Sequence, residues 1–513
     1  MEIHPNIQNL RIQKNICDQA AEQAFVFDYL LADYLPDIFK ILKCDVIPSV
    51  VNVSVSDGRI TIDLNLELRV LYLAEQTKEV SLISQKQSLQ KQIEVPAAKE
   101  DANVFVTVRS DSTRCRVVNP RRIDVRGAVL LKINAELAEP VNFCARSEKQ
   151  SALQERLTEC SCITGKTSAS EELTLSEETP LPYGNPPIET VLLYRCCPVV
   201  EECKRSGDKM LCKGHLQLHL LYLAKAQEGE KPQLHTAEIS VPADAVLTLS
   251  ASAQARLQPM MELVGAEFTV DEEKAESISG QYQVRVTVTA IEDQSVEYVD
   301  DVYSTVCPVE KQTEDYTVLR LQEMVQQTGV CKNTIALSGG ALSHVSDLLC
   351  DVKGVSLRQL DNGAVLLAIN LNLCLLAEEE GGMPFCVEKS IPCELQLDVP
   401  VQSGEPYFVP SVTVQANSYR ITEAGELECR TELQITGCLC RKQKVRMVTG
   451  ITADDGHPYP KDDAALHLYY AKAGEQLWEI AKAFKTDYAA AMSENELTAP
   501  VLTEDQMLLI PML

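Results

Sequence analysis

Six cysteine and histidine residues near the middle of the chain carry the side chains that most often bind a transition metal. They are Cys196, Cys197, Cys203, Cys212, His215 and His219. Their spacing is not that of a recognised zinc finger. If this segment is a strand, Cys212 and His215 point to opposite faces of the sheet, whereas His215 and His219 share a face. We therefore predict buried or free thiols here and no metal site.

The segment Gly165-Lys166-Thr167 resembles the end of a phosphate-binding loop. That motif requires a glycine five positions before Gly165, and this position is Cys160. We interpret the segment as a solvated loop. The seven histidines also lie outside the nucleophile and metalloprotease motifs. The sequence therefore predicts no catalytic residue and no cofactor, with a hydrolase hidden in the body of the chain as an alternative.

The charge balance excludes two classes of partner. The 513 residues include 47 basic and 74 acidic side chains, which gives a net charge of −27. Nucleic acids and anionic membranes attract basic surfaces, so neither is expected as a partner. No apolar run is long enough for a secretion signal or a transmembrane segment, which predicts a cytoplasmic protein. Most of the 19 cysteines are then expected to be thiols, and the pairs Cys160–Cys162 and Cys438–Cys440 could cross-link on oxidation.

An alternating apolar pattern recurs three times and predicts the elements of the fold. It occupies Leu66–Ala74, Leu216–Ala224 and, more loosely, Ile369–Ala377. Each copy follows a dipeptide that favours a hairpin turn, such as Asp57-Gly58. Because strands dominate and helix signals are few, we predict three β-rich, sandwich-like domains.

The composition between the copies predicts the domain boundaries. The predicted segments are an N-terminal segment 1–24, repeat 1 at 25–146, a linker and lead-in at 147–187, repeat 2 at 188–310, a connecting segment 311–344, repeat 3 at 345–449, a linker 450–465 and a C-terminal module 466–513. Ser147 to Pro187 is rich in Ser, Thr, Glu and Pro, which is typical of a solvated linker. Thr317 to Gln327 is compatible with a short helix, but its state stays open. Gly450 to Asp463 is expected to tether the last module loosely.

Two families resemble parts of this chain. The lead-in Pro36–Leu42, the Val70-Leu71-Tyr72 strand and the Val95-Pro96 edge resemble the SPOCS domain of sporulating Firmicutes. The segment Tyr469 to Phe484, closed by Leu502 to Pro511, resembles a LysM domain. Three SPOCS-like copies before one LysM are similar to the SipL type of spore morphogenetic protein in clostridia. The resemblance implies a mainly β chain that ends in a small α+β (βααβ) LysM. It also implies a role in coat assembly in the mother-cell cytoplasm at the forespore surface, with the basement-layer ATPase SpoIVA as partner.

The LysM resemblance places the binding residues in two loops. In a typical LysM the N-acetylglucosamine groove lies between them. The loops here comprise Ala473, Gly474, Glu475 and Gln476, and Thr503, Glu504, Asp505 and Gln506. The second loop usually carries Pro-Gly, and acids in its place add bulk and repel the acidic stem of peptidoglycan. A protein partner is therefore favoured over a glycan.

The helical stripe after the first loop predicts the core of the module. Its predicted core residues are Leu477, Trp478, Ile480, Phe484 and Ile510, and Trp478 is expected in the core rather than as a sugar platform. Together with these residues, the resemblance predicts a non-enzymatic spore coat scaffold that docks through its LysM on a basement-layer protein. The alternative is a protein that binds peptidoglycan or N-acetylglucosamine of the cell wall or spore cortex.

Overall fold

The alternating residues of the repeats form long antiparallel strands, as the sequence predicts. The computed structural model describes residues 5–147, 152–226, 232–270, 276–336, 342–379, 383–422, 426–460 and 464–512. Strand β3 (Arg59–Ala74) shows why they form: Ile60, Ile62 and Leu64 alternate inward and are almost fully buried. The predicted mainly β fold class is confirmed.

The first unit of the fold, unit 1, is a sandwich of two antiparallel sheets. Around β3 it contains β1 (Asn6–Leu30), β2 (Ile38–Ser56), β4 (Val80–Glu94), β5 (Asn103–Asn119) and β6 (Arg122–Ala145). The sheet orders are β1-β6-β5 and β2-β3-β4. Their inner faces enclose one apolar core, which includes Phe25, Tyr72 and Ile133.

Units 2 and 3 repeat this design. Unit 2 consists of β7 (Leu153–Pro180), β8 (Ile188–Ser206), β9 (Lys209–Ala224), β10 (Leu234–Pro242), β11 (Ala245–Thr248), β12 (Arg256–Thr269) and β13 (Ser277–Ser304). Unit 3 consists of β14 (Val309–Ala336), β15 (Leu342–Gln359), β16 (Val365–Glu379), β17 (Pro384–Gln396), β18 (Glu405–Phe408), β19 (Ser411–Ile421) and β20 (Glu426–Ala453). In each unit the long last strand pairs with the long first strand, β13 with β7 and β20 with β14. A disulfide, Cys331–Cys393, links β14 to β17 in unit 3.

The predicted domain boundaries are wrong at the start of every unit. Strands β1, β7 and β14 lie largely in segments 1–24, 147–187 and 311–344, which the sequence pattern places outside the repeats. Gly165-Lys166-Thr167 lies within β7 and is not a solvated loop, and Thr317 to Gln327 lies within β14 and is not a helix. Because β7 has an outer face of hydroxyl residues, it has the composition of a linker. Residues 148–151 of the predicted linker are outside the described residues.

The three units pack together through apolar clusters to which each contributes. One cluster contains Leu71 of unit 1, Leu221 of unit 2 and Leu349 of unit 3. At matching positions of the three units, Arg195 lies between two carboxylates, 2.5 Å from Asp45 and 2.7 Å from Asp351. The three units are therefore arranged around a shared centre with approximate threefold symmetry.

The C-terminal module is a small α+β domain with the predicted βααβ order. It contains β21 (Leu466–Ala471), α1 (Leu477–Phe484), α2 (Tyr488–Glu494) and β22 (Gln506–Pro511), and β21 and β22 pair in antiparallel fashion. Asp487 caps α2 by accepting a hydrogen bond from the Ala490 amide at 2.8 Å. Within the described chain, no helix has the length and apolar character that a membrane span requires.

Candidate binding site on the C-terminal module

The two predicted binding loops lie side by side in the structure. The Gly474 amide donates to the Leu502 carbonyl at 2.8 Å, and the Leu502 amide donates to the Glu475 carbonyl at 2.9 Å. A bridge between Gln476 and Val501 continues this pairing. Gly474 has φ +91°, a turn conformation that favours glycine. The fold thus joins the eight loop residues into one surface.

Two of the three acidic side chains of the loops, Asp505 and Glu475, accept hydrogen bonds from backbone amides in or next to the loops. Asp505 accepts a hydrogen bond from the Ala473 amide at 2.8 Å. Glu475 accepts from the Lys472 amide at 3.2 Å and from the Tyr469 hydroxyl at 3.4 Å. Since these amides are already satisfied, a sugar acetamido group would have to displace a carboxylate to reach them.

An exposed apolar strip runs beside the loops on the outer side of the two-stranded sheet. Leu468, Tyr470 and Met507 are 64%, 66% and 61% exposed, and Leu466 and Val501 extend the strip. Sequence reasoning missed this feature, although the alternation of Leu466, Leu468 and Tyr470 along β21 carries the signal. We call this strip together with the two loops the outward face.

The module has its own apolar core beneath the sheet. Leu477, Ile480 and Ile510 are buried in it, and Phe484 packs against it. The surroundings of Trp478 differ from the sequence expectation, which placed it in the core of the module. It is 4% exposed, but it lies in a separate cluster with Tyr303 of unit 2.

Trp478 holds the module against unit 2 through one buried carboxylate. Its Nε1 donates to Asp301 Oδ2 at 2.8 Å, and its ring meets the Tyr303 ring edge-on at 5.0 Å between centroids. Lys482 of α1 and Lys311 of unit 3 also contact Asp301. Burial opposes ionisation of Asp301, but the hydrogen bonds from these three partners outweigh it and hold its pKa well below the usual range.

Further contacts fix the orientation of the module. The Tyr303 hydroxyl donates to the Thr486 carbonyl at 2.8 Å. The Gln154 side chain donates to Asp487 at 3.0 Å and accepts from the Tyr488 amide at 3.1 Å. The expected loose tether is therefore wrong for the described residues, because the module is docked on unit 2. The predicted linker also begins later than expected, since β20 continues to Ala453, and its residues 461–463 are outside the described residues.

Docking leaves the outward face acidic. Of the module's three lysines, Lys482 is engaged with Asp301, and Lys485 lies 3.7 Å from the centroid of the Tyr459 ring. Lys472, Glu504 and Asp505 are exposed, and Glu475 is half-buried. The surface combines apolar side chains with a rim of carboxylates, which suits a partner with the opposite rim charge.

The cysteines and histidines considered for zinc have other neighbours. Cys203 and Cys212 face each other across β8 and β9 with 3.0 Å between their sulfurs. His215 contacts Glu201 at 2.8 Å, and His219 contacts Asp347 at 2.9 Å. The six residues do not converge on one point.

A different group of possible metal ligands lies between units 1 and 3. Cys374, Cys386 and Glu388 have their ligand atoms within 4.8 Å of one another. The buried Lys43 ammonium pairs with Glu388 at 3.0 Å. A positive charge already occupies this carboxylate, so the group is poorly suited to a second cation.

Comparison with known families agrees with this architecture. Residues 37–118 match the SipL, SPOCS domain model, which spans β2 to β5 of unit 1. Residues 469–511 match the LysM domain model. The chain carries a SPOCS domain and a LysM domain. No curated protein and no solved structure matches the chain.

These matches identify two of the domains and indicate the biological process in which the chain acts. The SPOCS match implies a role in sporulation, and both domains are of a binding type. Units 2 and 3 share the strand order of the SPOCS-containing unit 1. The docked C-terminal module is the LysM, and its outward face holds the two loops that the sequence predicts as its binding site.

Proposed function

We propose that this chain is a non-enzymatic scaffold for spore coat assembly that docks on a coat basement-layer protein of the SpoIVA type. The outward face of the LysM makes the contact, at the mother-cell side of the forespore surface. The three β units act as the body that carries and orients it.

This proposal rests mainly on the hydrogen bonds that backbone amides in and next to the loops already make to loop carboxylates. Asp505 and Glu475 accept hydrogen bonds from the backbone at the position where a LysM groove would receive a sugar. The exposed Leu468, Tyr470 and Met507 beside them resemble the apolar centre of a protein interface more than a polar sugar groove. A scaffold role also fits the binding type of both matched domains.

The rigid mount of the LysM supports the same function. Because Trp478 and Lys482 fix α1 on unit 2, the outward face points in a constant direction from the body. Such pre-organisation raises affinity by lowering the entropy lost on binding.

Charge reversal on the outward face tests the proposal. Glu504 is exposed, so Glu504→Lys should leave the fold intact. The full chain is titrated against the purified SpoIVA-type protein of the same organism by calorimetry. We expect Glu504→Lys to weaken binding at least tenfold, and Glu494→Lys, an exposed change at the end of α2, to bind like the wild type.

The alternative function has its own outcome in the same experiment. The resemblance places the sugar groove of a LysM between these two loops, and because the loops lie side by side, N-acetylglucosamine is the second candidate. If chitin oligomers bind the full chain and displace the protein partner, the glycan function holds. If no partner binds and the oligomers do, the scaffold proposal is wrong.

A further inference from the structure

Two free cysteines of unit 2, Cys203 and Cys212, are direct partners in the hairpin of β8 and β9. The Cys212 thiol donates a hydrogen bond to the Cys203 sulfur, and the two sulfur atoms are 3.0 Å apart. Both residues lie near the tip of the hairpin, because the turn Gly207-Asp208 connects the two strands a few residues away. The scaffold function makes no use of this pair.

The backbone at this pair suits a disulfide. Residues directly opposite each other in an antiparallel sheet have their Cα atoms about 4.5–5.5 Å apart, and the Cα atoms of disulfide-bonded cysteines are about 4.4–6.8 Å apart. Among the described residues, no other two free cysteines are direct partners on neighbouring strands. A bond between the Cys203 and Cys212 sulfurs therefore needs little movement of the main chain.

Three other close pairs of cysteines have a less suitable backbone. Cys374 and Cys386 have their sulfurs 2.9 Å apart, but Cys386 is opposite Leu376, so the two cysteines are diagonal neighbours. Diagonal positions have Cα atoms about 7–8 Å apart, which is beyond the usual span of a disulfide. The pairs Cys160–Cys162 and Cys438–Cys440 are alternate residues of one strand, and Cα atoms at this spacing are about 6.6 Å apart, at the upper end of that span.

The equivalent hairpin of unit 1 shows that packing does not require cysteines at this place. In the hairpin of β2 and β3, whose turn is Asp57-Gly58, the matching partners are Val53 and Ile62. Ile62 is fully buried in the core of unit 1, and Val53 packs against that core. Cys212 and Cys203 have the same two roles in the core of unit 2. The two pairs fill the same site, and only the cysteine pair can be oxidised.

The two thiols differ in their access to solvent and in their acidity. Cys203 is half-buried, whereas Cys212 is 1% exposed. The hydrogen bond from Cys212 lowers the pKa of the Cys203 thiol and outweighs the opposite effect of burial. The nucleophilic thiolate form is therefore favoured at the cysteine that a small oxidant can reach, and Cys212 is in contact behind it.

We propose that Cys203 and Cys212 are a site of oxidative modification, at which hydrogen peroxide converts the two thiols into a disulfide. The Cys203 thiolate attacks one peroxide oxygen, so that an S–O bond forms and the O–O bond breaks. The hydroxide that leaves takes up the proton that Cys203 has lost and becomes water. The Cys212 sulfur then attacks the Cys203 sulfur, so that the S–S bond forms and the S–O bond breaks. The hydroxyl group leaves with the Cys212 proton as a second water.

The bond ties β8 to β9 next to their turn. A disulfide stabilises a fold mainly because it restricts the unfolded chain, here over the short loop from Cys203 to Cys212. Unit 3 has a tie of this kind between β14 and β17. Oxidation therefore adds a covalent tie to unit 2, and this modification does not involve the LysM.

Treatment of the full chain with hydrogen peroxide tests the site. The protein is first reduced and freed of reductant, then treated with peroxide, quenched with iodoacetamide at intervals and digested without reduction. Mass spectrometry follows the peptide pair that joins Cys203 to Cys212, with the pair that joins Cys374 to Cys386 as the internal comparison. The matched control is the double variant Cys203→Val/Cys212→Ile, which has the residues of unit 1 at this site.

We expect the Cys203–Cys212 bond to form about tenfold faster than the Cys374–Cys386 bond, because only the first pair has a suitable backbone. Peroxide should also raise the melting temperature of the wild type by about 2–4 °C more than that of the double variant. The proposal is overturned if Cys203 is alkylated or converted to a sulfinic acid without a bond to Cys212. It is also overturned if the two bonds form at the same rate, or if peroxide raises the melting temperatures of both proteins equally.

Discussion

The three β units are joined to each other in a different way from the LysM. Between units the contact is apolar and shared, with Leu71, Leu221 and Leu349 in one buried cluster. Between unit 2 and the LysM the contact centres on one buried carboxylate, Asp301, with an aromatic pair and a few hydrogen bonds around it. The units cannot separate without exposing leucines to water, whereas the LysM keeps its own core when it leaves. We therefore expect the three units to unfold together as one body, to which the LysM is latched.

The largest expected effect comes from breaking the shared cluster. Leu221→Ala removes a fully buried side chain at the meeting point of the units and should lower the free energy of unfolding by about 3–5 kcal/mol. Calorimetry should show one lowered transition for all three units. An independent transition of unit 2, with the others unchanged, would contradict a common body.

Breaking the latch should release the LysM and leave the body folded. Trp478 is the only tryptophan, so its fluorescence reports on the dock. Tyr303→Ala removes the ring against Trp478 and the hydrogen bond to Thr486, and should weaken docking by about 3 kcal/mol. We expect a red shift in emission and faster proteolysis between Ala453 and Leu466. Tyr470→Ala, on the outward face, should change neither, and an unshifted Tyr303→Ala spectrum would refute the latch.

A smaller, pH-dependent effect is expected between units 2 and 3. Burial disfavours the charged form of His219, but hydrogen bonds to Asp347 and Glu238 outweigh it and raise its pKa to about 9. The stabilisation is complete below the ordinary pKa near 6.5 and is lost as the pH rises through about 9. Denaturant unfolding of the wild type should lose on the order of 2 kcal/mol more than His219→Gln between pH 6 and pH 9.5. Parallel pH curves for the two proteins would show that folding does not raise the pKa of His219.

The smallest effect is expected at the loops of the outward face. Asp505→Ala removes the acceptor of the Ala473 amide at an exposed site, which should cost the LysM about 1 kcal/mol or less. Thermal unfolding of the LysM transition measures it, with Glu504→Ala as a control that loses no such bond. A gain in chitin-oligomer affinity on Asp505→Ala would show that this carboxylate blocks the sugar groove, whereas unchanged affinity would show that it does not.

Sequence reasoning predicted the strands that have a marked apolar pattern. It missed the strands whose composition is like that of a loop. β3 alternates apolar and polar residues up to Arg69 and ends in a buried apolar run from Val70 to Ala74, and the threefold recurrence of this pattern marks it. β7 covers its unit with Leu173 and Leu175 on one face, but Ser168, Ser170 and Glu172 on the other give it the composition of a linker. Periodicity over a few residues does not show that such a strand is paired along its whole length.

The sequence predicted the loops of the candidate site but not the docking of the LysM on unit 2. The helical stripe of α1 contains both Leu477 and Trp478, but one faces the LysM core and the other faces unit 2. No local pattern distinguishes these two kinds of burial, because the partner, Asp301, is 177 residues earlier in the chain.

The length of chain between β20 and β21 limits what opening of the latch can do. Only the twelve residues 454–465 separate Ala453 from Leu466, and fully extended they reach about 40 Å. Short tethers of this kind keep a released module at an effective concentration in the millimolar range. Undocking is therefore an intramolecular equilibrium that the dilution of the protein does not alter. A partner that prefers the freed LysM must compete with Asp301 for it, and the affinity of that partner will be set as much by the latch as by its own contacts.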